Sequence, residues 1–318
     1  MKLGVCPQAL YHLPFEKALA FAAEIGFEAI ELPVDGRSPF INLDEALAGG
    51  WRRIGQAVRG AKLTISALSN HQEGQLLLGP HGSDTDPIHR GTPEEKVAFA
   101  TRRLQQTAEL AERLEVGVVC GFTGCEDYSR WFPWPLADGY ERMGPVFRDR
   151  MLPILETFAR HRVRFAHECH PKQFAYNLET AQLALQLLDG HPAFGFNLDP
   201  ANLMLAGMDP LAFVAELGDR VLHVHAKDGE QVRHQIGRSG LLAHGAWDRP
   251  GRGFRFRIAG WGDVNWKGLL SELRLAGYDG VLAVEHEDPI IGPGEGLRKA
   301  YDYLSPLLLR EPREKGWW

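Results

Sequence analysis

Along this chain short apolar runs alternate with longer stretches in which apolar residues return every three or four positions. The first have the length and composition of buried strands, the second the period of amphipathic helices. Residues 3–6 read as a strand and 15–25 as a helix. Residues 29–34 and 43–59 form the next pair, with Asn42 as helix cap. A strand at 64–68 leads to Ser69-Asn70-His71, and a long helix at 93–114 follows, capped by Thr92 with Pro93 in its first turn. Residues 117–121 and 145–160 make the fourth pair. Four further strands are Arg164-Phe165-Ala166-His167-Glu168, Phe194-Gly195-Phe196-Asn197-Leu198-Asp199, Val221-Leu222-His223-Val224-His225 and Val281-Leu282-Ala283-Val284-Glu285. Helices predicted at 178–188, 209–217, 266–276 and 296–309 back them.

Strands that alternate with helices imply a parallel sheet, and eight such pairs close into a (β/α)8 TIM barrel. An open doubly wound sheet lacks support, because no Gly-rich dinucleotide fingerprint follows the first strand. No boundary divides the chain, so residues 1–318 read as a single domain. Two connections are too long for turns: 123–144 after strand four and 229–262 after strand seven. Both leave a strand C-terminal end and lie on the active face of a barrel. The first carries Trp131, Phe132 and Trp134, the second His234, His244 and six arginines. They read either as a subunit contact or solvated lid, or as a cover that gives a substrate aromatic walls and cationic donors.

Each of the last four strands ends on a residue able to bind a metal. Side chains alternate along a strand, so Glu168 shares a face with Ala166 and His170, Asp199 with Asn197, His225 with His223, and Glu285 with Ala283. Glu168, Asp199, His225 and Glu285 then form the outer interior layer at one rim, above small or apolar groups. Three close carboxylates repel one another, and a divalent cation removes that conflict. Three oxygens and one nitrogen suit Mn2+, Mg2+, Co2+ or Zn2+. Four protein ligands on a six-coordinate ion leave two positions for adjacent substrate oxygens. Such a site polarises a carbonyl and stabilises an enediolate. Glu168 and Glu285, on separated strands, can take a proton from one side of a ketose carbon and return one from the other.

Composition narrows the alternatives. With 44% apolar and 24% charged residues, a large core is affordable. The net charge of −6 disfavours nucleic acid as the main partner. No apolar stretch approaches the roughly 20 residues of a bilayer span. Met1 leads straight into a strand without the succession of a signal peptide. Cys6, Cys120, Cys125 and Cys169 show no CxxC spacing and read as free buried thiols of a reducing, cytoplasmic compartment.

Several motifs carry a resemblance: His223-Val224-His225-Ala226-Lys227-Asp228, Gly260-Trp261-Gly262-Asp263-Val264-Asn265-Trp266 and Val284-Glu285-His286-Glu287-Asp288-Pro289. Asp199-Pro200-Ala201-Asn202-Leu203 and Glu168-Cys169-His170-Pro171 add to them. In these the chain resembles the xylose isomerase-like TIM-barrel family of sugar and sugar-phosphate isomerases and epimerases, related in fold to endonuclease IV. The resemblance implies one divalent metal, manganese above others, on Glu168, Asp199, His225 and Glu285. It also implies a sugar or polyol substrate met by His71, His170, Asn202 and an arginine before Gly260, chosen as Arg257. Asp228 is expected to orient His225 or Lys227, and a homodimer or homotetramer is the expected assembly. Many relatives carry histidine where this chain has Asn202. Asparagine is no acid or base and a poor ligand, so a multinuclear nuclease-like site is disfavoured. Two enzyme classes stay open: an isomerase or epimerase of a ketose, and a lyase or dehydratase acting on a keto-inositol or 3-keto-glycoside.

Overall fold

The structure, a computed structural model, describes residues 1–130 and 138–311. Its strands are β1 (Lys2–Val5), β2 (Ala29–Pro33), β3 (Thr64–Asn70), β4 (Val118–Gly121), β5 (Arg164–Glu168), β6 (Phe194–Leu198), β7 (Val221–Gln231), β8 (Phe254–Ile258) and β9 (Val281–Val284). Strands β1 to β7 pair in parallel with their neighbours, β7 pairs with β9, and β9 returns to β1. These eight close the (β/α)8 barrel that the alternation predicts. The ninth, β8, lies antiparallel on the far half of β7, with Lys227 opposite Ile258 and Gln231 opposite Phe254. A segment read as a bare loop is therefore a hairpin arm rising from the rim.

Alternation along the strands sorts side chains into two cores. Leu3, Val5, Ile30, Leu32, Phe165 and Phe196 point outward and are fully buried under the helices. Each such side chain contributes about 1.5–3 kcal/mol by leaving water. Ala67, Val118, Cys120 and Ala166 form a separate small cluster within the barrel. Small residues there leave room for the polar groups above them. All four cysteines are buried and free, as expected.

Helix boundaries follow their caps. Thr92 and Glu95 make a reciprocal capping box at the start of Pro93–Arg113, and the Asn42 side chain accepts from the Asp44 and Glu45 amides. The helix predicted at 43–59 is interrupted at Gly49, whose φ of 122° only glycine adopts readily. The helix predicted from Pro145 starts earlier, at Gly139, and carries Pro145 inside it. Residues 71–92 form a third long connection, which the periodic reading leaves unremarked. It contains the helix His71–Gln75 and is clamped by the buried Lys96 ammonium, which donates to the His81 and Gly82 carbonyls. Trp131, Phe132 and Trp134 lie outside the described residues. Among the described residues no helix is long and apolar enough to cross a membrane.

Candidate metal and substrate site

The C-terminal ends of β5, β6, β7 and β9 bring their terminal acids and imidazole to one rim. Potential ligand atoms of Glu168, Asp199 and His225 lie within 4.8 Å of one another, all buried. Glu285 joins them from β9: its Oε2 stands 3.3 Å from His225 Nδ1, and Glu168 Oε2 stands 3.1 Å from the same nitrogen. Asp199 follows β6 directly and caps the short helix Pro200–Leu205, where its Oδ1 accepts from the Ala201 and Asn202 amides. That capping fixes one oxygen and leaves Oδ2 facing inward.

Neighbouring donors hold the acids in place. Glu168 Oε2 meets His71 Nε2 at 3.1 Å and accepts from Asn197 Nδ2 at 2.9 Å, while Oε1 accepts from Asn202 Nδ2 at 2.7 Å. Asn202 Nδ2 also donates to Asp199 Oδ2 at 2.8 Å, so one amide bridges two acids. The Lys227 ammonium stands 2.8 Å from each of Asp199, Glu285 and Glu287. Lys227 shares parity with His223 and His225, which turns it into the site.

The charges are not balanced evenly. Burial raises a carboxyl pKa, yet His225 and His71 hold Glu168 well below the usual range. Lys227 and His225 do the same for Glu285, again against burial. Asp199 moves the other way: burial pushes it up, and the nearby Glu168 and Glu285 outweigh part of what Lys227 gives back. His170 is held below its ordinary value by burial. A buried acid raised by its like-charged neighbours is a place where an added cation is stabilising. The donor set fits one: His225 Nδ1 is buried without a hydrogen-bond partner and points between two carboxylates. Glu168, Asp199, His225 and Glu285 could thus hold a divalent ion through three oxygens and one nitrogen.

Above these groups opens a cavity of about 280 Å³. Glu168, Glu285, Lys227 and Asn202 face its floor, and His71, His170 and Phe122 form one wall. Tyr11, Asp35 and Arg37 come from the connections after β1 and β2. The site described so far therefore draws on both halves of the barrel.

Two expected substrate contacts are placed elsewhere. Asp228 follows Lys227, so strand alternation turns it out of the cavity into the hairpin arm. Its carboxylate accepts from the amides of Gly229, Gly260 and Val264 and from Trp266 Nε1, and touches neither His225 nor Lys227. Those partners explain the Gly260–Trp266 motif as a wrapping around one buried acid. A Cβ on Gly262 would collide with the Asp228 carboxylate. Arg257 is also outside the cavity lining: its guanidinium is paired with Asp288 at 2.9 Å and Glu230 at 2.8 Å. The arginine among the described lining residues is Arg37, whose position after the second strand gave no motif to find it by.

Sequence reasoning also passed over Glu31. It sits in the middle of β2, fully buried, with Oε2 2.9 Å from His225 Nε2. Burial would raise its pKa, but His225 and then His223 hold it at about 2. An ionisable residue inside an otherwise apolar strand run was the available signal.

A closed parallel barrel with acids and an imidazole gathered at its C-terminal rim defines a broad class of TIM-barrel proteins. Within it, this chain belongs to the xylose isomerase-like TIM barrel family, whose sequence pattern it matches over residues 19–307. It is 29% identical to the uncharacterized Bacillus subtilis (strain 168) protein YfiH across 97% of this chain and 99% of that one. It is 25% identical to a Bacillus anthracis 3-dehydroshikimate dehydratase across 72% of each. Among solved structures, the E. coli 3-keto-D-glucoside 4-epimerase superposes with a TM-score of 0.68 at 14% identity, covering 96% of this chain and 99% of that one. An IOLI protein solved with a bound zinc atom gives the same TM-score at 15% identity, covering 97% and 98%. These two structural likenesses speak to the fold alone.

Proposed function

We propose that this protein is a divalent-metal-dependent isomerase or epimerase of a ketose or related sugar, working through an enediolate. The observation that carries the reading is the convergence of Glu168 and Glu285, from β5 and β9, on Nδ1 of the buried His225. Glu168, Asp199, His225 and Glu285 would hold the ion, with Mn2+ as first choice. When bound, the ion would polarise the substrate carbonyl and favour loss of the adjacent proton. Glu168 takes that proton, its position set by His71, Asn197 and Asn202. Glu285, anchored on Lys227, returns a proton from its own side. His71 and His170 contact substrate hydroxyls across the cavity wall. Asn202 supports the arrangement by holding two ligand carboxylates with one amide.

A dehydratase acting on a cyclic keto-polyol is the second reading, and the likeness to a 3-dehydroshikimate dehydratase favours it. It starts with the same proton abstraction and ends with loss of a neighbouring hydroxyl. One experiment separates them. Metal-loaded protein is incubated in D2O with ketoses and keto-inositols, and products are followed by NMR and mass spectrometry. Deuterium gained at the carbon beside the carbonyl, with no loss of water, supports the isomerase or epimerase. Loss of water supports the dehydratase, and no exchange on any keto-sugar or keto-cyclitol overturns both.

A further inference from the structure

We infer that Glu31, in the middle of β2, is a positioning residue that fixes the ring and tautomer of His225. The inference rests on reading Glu168, Asp199, His225 and Glu285 as a metal site. His225 is fully buried and has two faces of use. Its Nε2 is 2.9 Å from Glu31 Oε2, and its Nδ1 lies 3.1 Å from Glu168 Oε2 and 3.3 Å from Glu285 Oε2. A carboxylate that accepts from Nε2–H keeps the proton on that nitrogen and leaves the Nδ1 lone pair for the ion. Glu31 Oε2 also lies 3.6 Å from His223 Nδ1, too far for a hydrogen bond, so its short contact is with His225. The Cys6 thiol reaches the same ring, but a thiol is a weak partner.

The sheet is shaped around this contact. Pairing of β2 with β3 slips between Ile30 and Glu31, and pairing of β6 with β7 slips between Phe196 and Asn197. Bulges re-aim side chains beside functional sites. The second slip sets Asn197 opposite His223, and His223 Nδ1 then meets Asn197 Oδ1 at 3.2 Å while Asn197 donates to Glu168. Register irregularities thus fall at the two strands that send support up to His225 and Glu168. A rival arrangement would place a second ion among Glu31, Cys120, His223 and His225. The 2.9 Å contact argues against it. Two ligands on a tetrahedral ion, each about 2.0–2.2 Å from it, stand more than about 3 Å apart.

The test is Co2+ binding by the full-length protein, wild type and Glu31→Gln, after chelation. Visible absorption and calorimetry report affinity, geometry and stoichiometry. Gln keeps the shape of Glu but is a poorer acceptor and can donate, so we expect about 10- to 100-fold weaker binding and an altered Co2+ spectrum. Glu31→Asp, which keeps the charge but shortens the reach, should fall between the two. It also carries the test if the Gln variant does not fold. Wild-type affinity and spectrum in Glu31→Gln, with or without a lower Tm, overturn the positioning role while the metal site stands. Two equivalents of Co2+ bound by wild type and one by the variant also overturn it, because Glu31 would then be a ligand. A wild type that binds no Co2+ overturns the metal-site reading and this inference together.

Discussion

The two halves of the barrel are built alike and contribute differently. Strands β5, β6, β7 and β9 each deliver one of the four candidate ligands at the C-terminal end, whereas β1 to β4 deliver none of that quartet: β3 brings His71 to the rim, where it meets Glu168 at 3.1 Å. The first half gives walls and supports instead: Tyr11, Arg37, His71 and Phe122 around the cavity, and Glu31 beneath it. The same parity rule acts in both, so the difference lies in which residue occupies the last inward position. Cys6 and Gly121 occupy the corresponding region of β1 and β4, and neither brings an oxygen or imidazole. A repeated architecture has therefore concentrated charge in one arc and left the other to shape what enters.

That division can be broken most sharply at Glu168. Glu168→Gln should cut deuterium exchange into a ketose by about 10²- to 10⁴-fold, the usual worth of a positioned base. Retained exchange in that variant would remove Glu168 from the chemistry. A smaller effect is expected one residue earlier, where His167 faces outward and its Nε2–H donates to the Ala175 carbonyl. Burial lowers its pKa to about 4, below the 6.5 of a free histidine. The unfolded chain therefore binds the extra proton, so this contribution is complete above about pH 6.5 and is lost as pH falls toward 4. It amounts to about 3 kcal/mol, and denaturant unfolding of metal-free protein at several pH values should show a shallower slope in His167→Gln. An unchanged slope would contradict the buried neutral ring.

The mildest change concerns the arginines of the two halves. Arg37→Gln should raise KM by a few fold with little change in kcat, because Arg37 is the arginine among the described residues lining the cavity. Arg257→Gln should lower Tm and leave KM unchanged, since it leaves the buried Asp288 unpaired. The reverse pattern would return Arg257 to the substrate.

Local chemistry made the second half legible. An acid or imidazole at the end of an apolar strand announces itself within five residues, and alternation gives its direction. The eight-fold count and the closed barrel follow from the same periodicity. Asp228 and Arg257 were misplaced because β7 continues past the rim and pairs with β8. Alternation then sends neighbouring residues of one motif to opposite surroundings, Lys227 inward and Asp228 into the hairpin. Glu31 and Lys227 went unassigned because each acts through a partner distant in sequence, 194 positions away in the case of Glu31 and His225.

The sequence alone determined the strand and helix alternation, the barrel, and the four residues able to meet at its rim. Period and side-chain type are properties of short segments, and closure of eight parallel strands leaves little choice of topology. Only the tertiary structure decided which acids each nitrogen of His225 faces, which cations neutralise which acids, and which arginine lines the cavity. Those depend on distances between strands and on register slips within the sheet, and no local pattern encodes them.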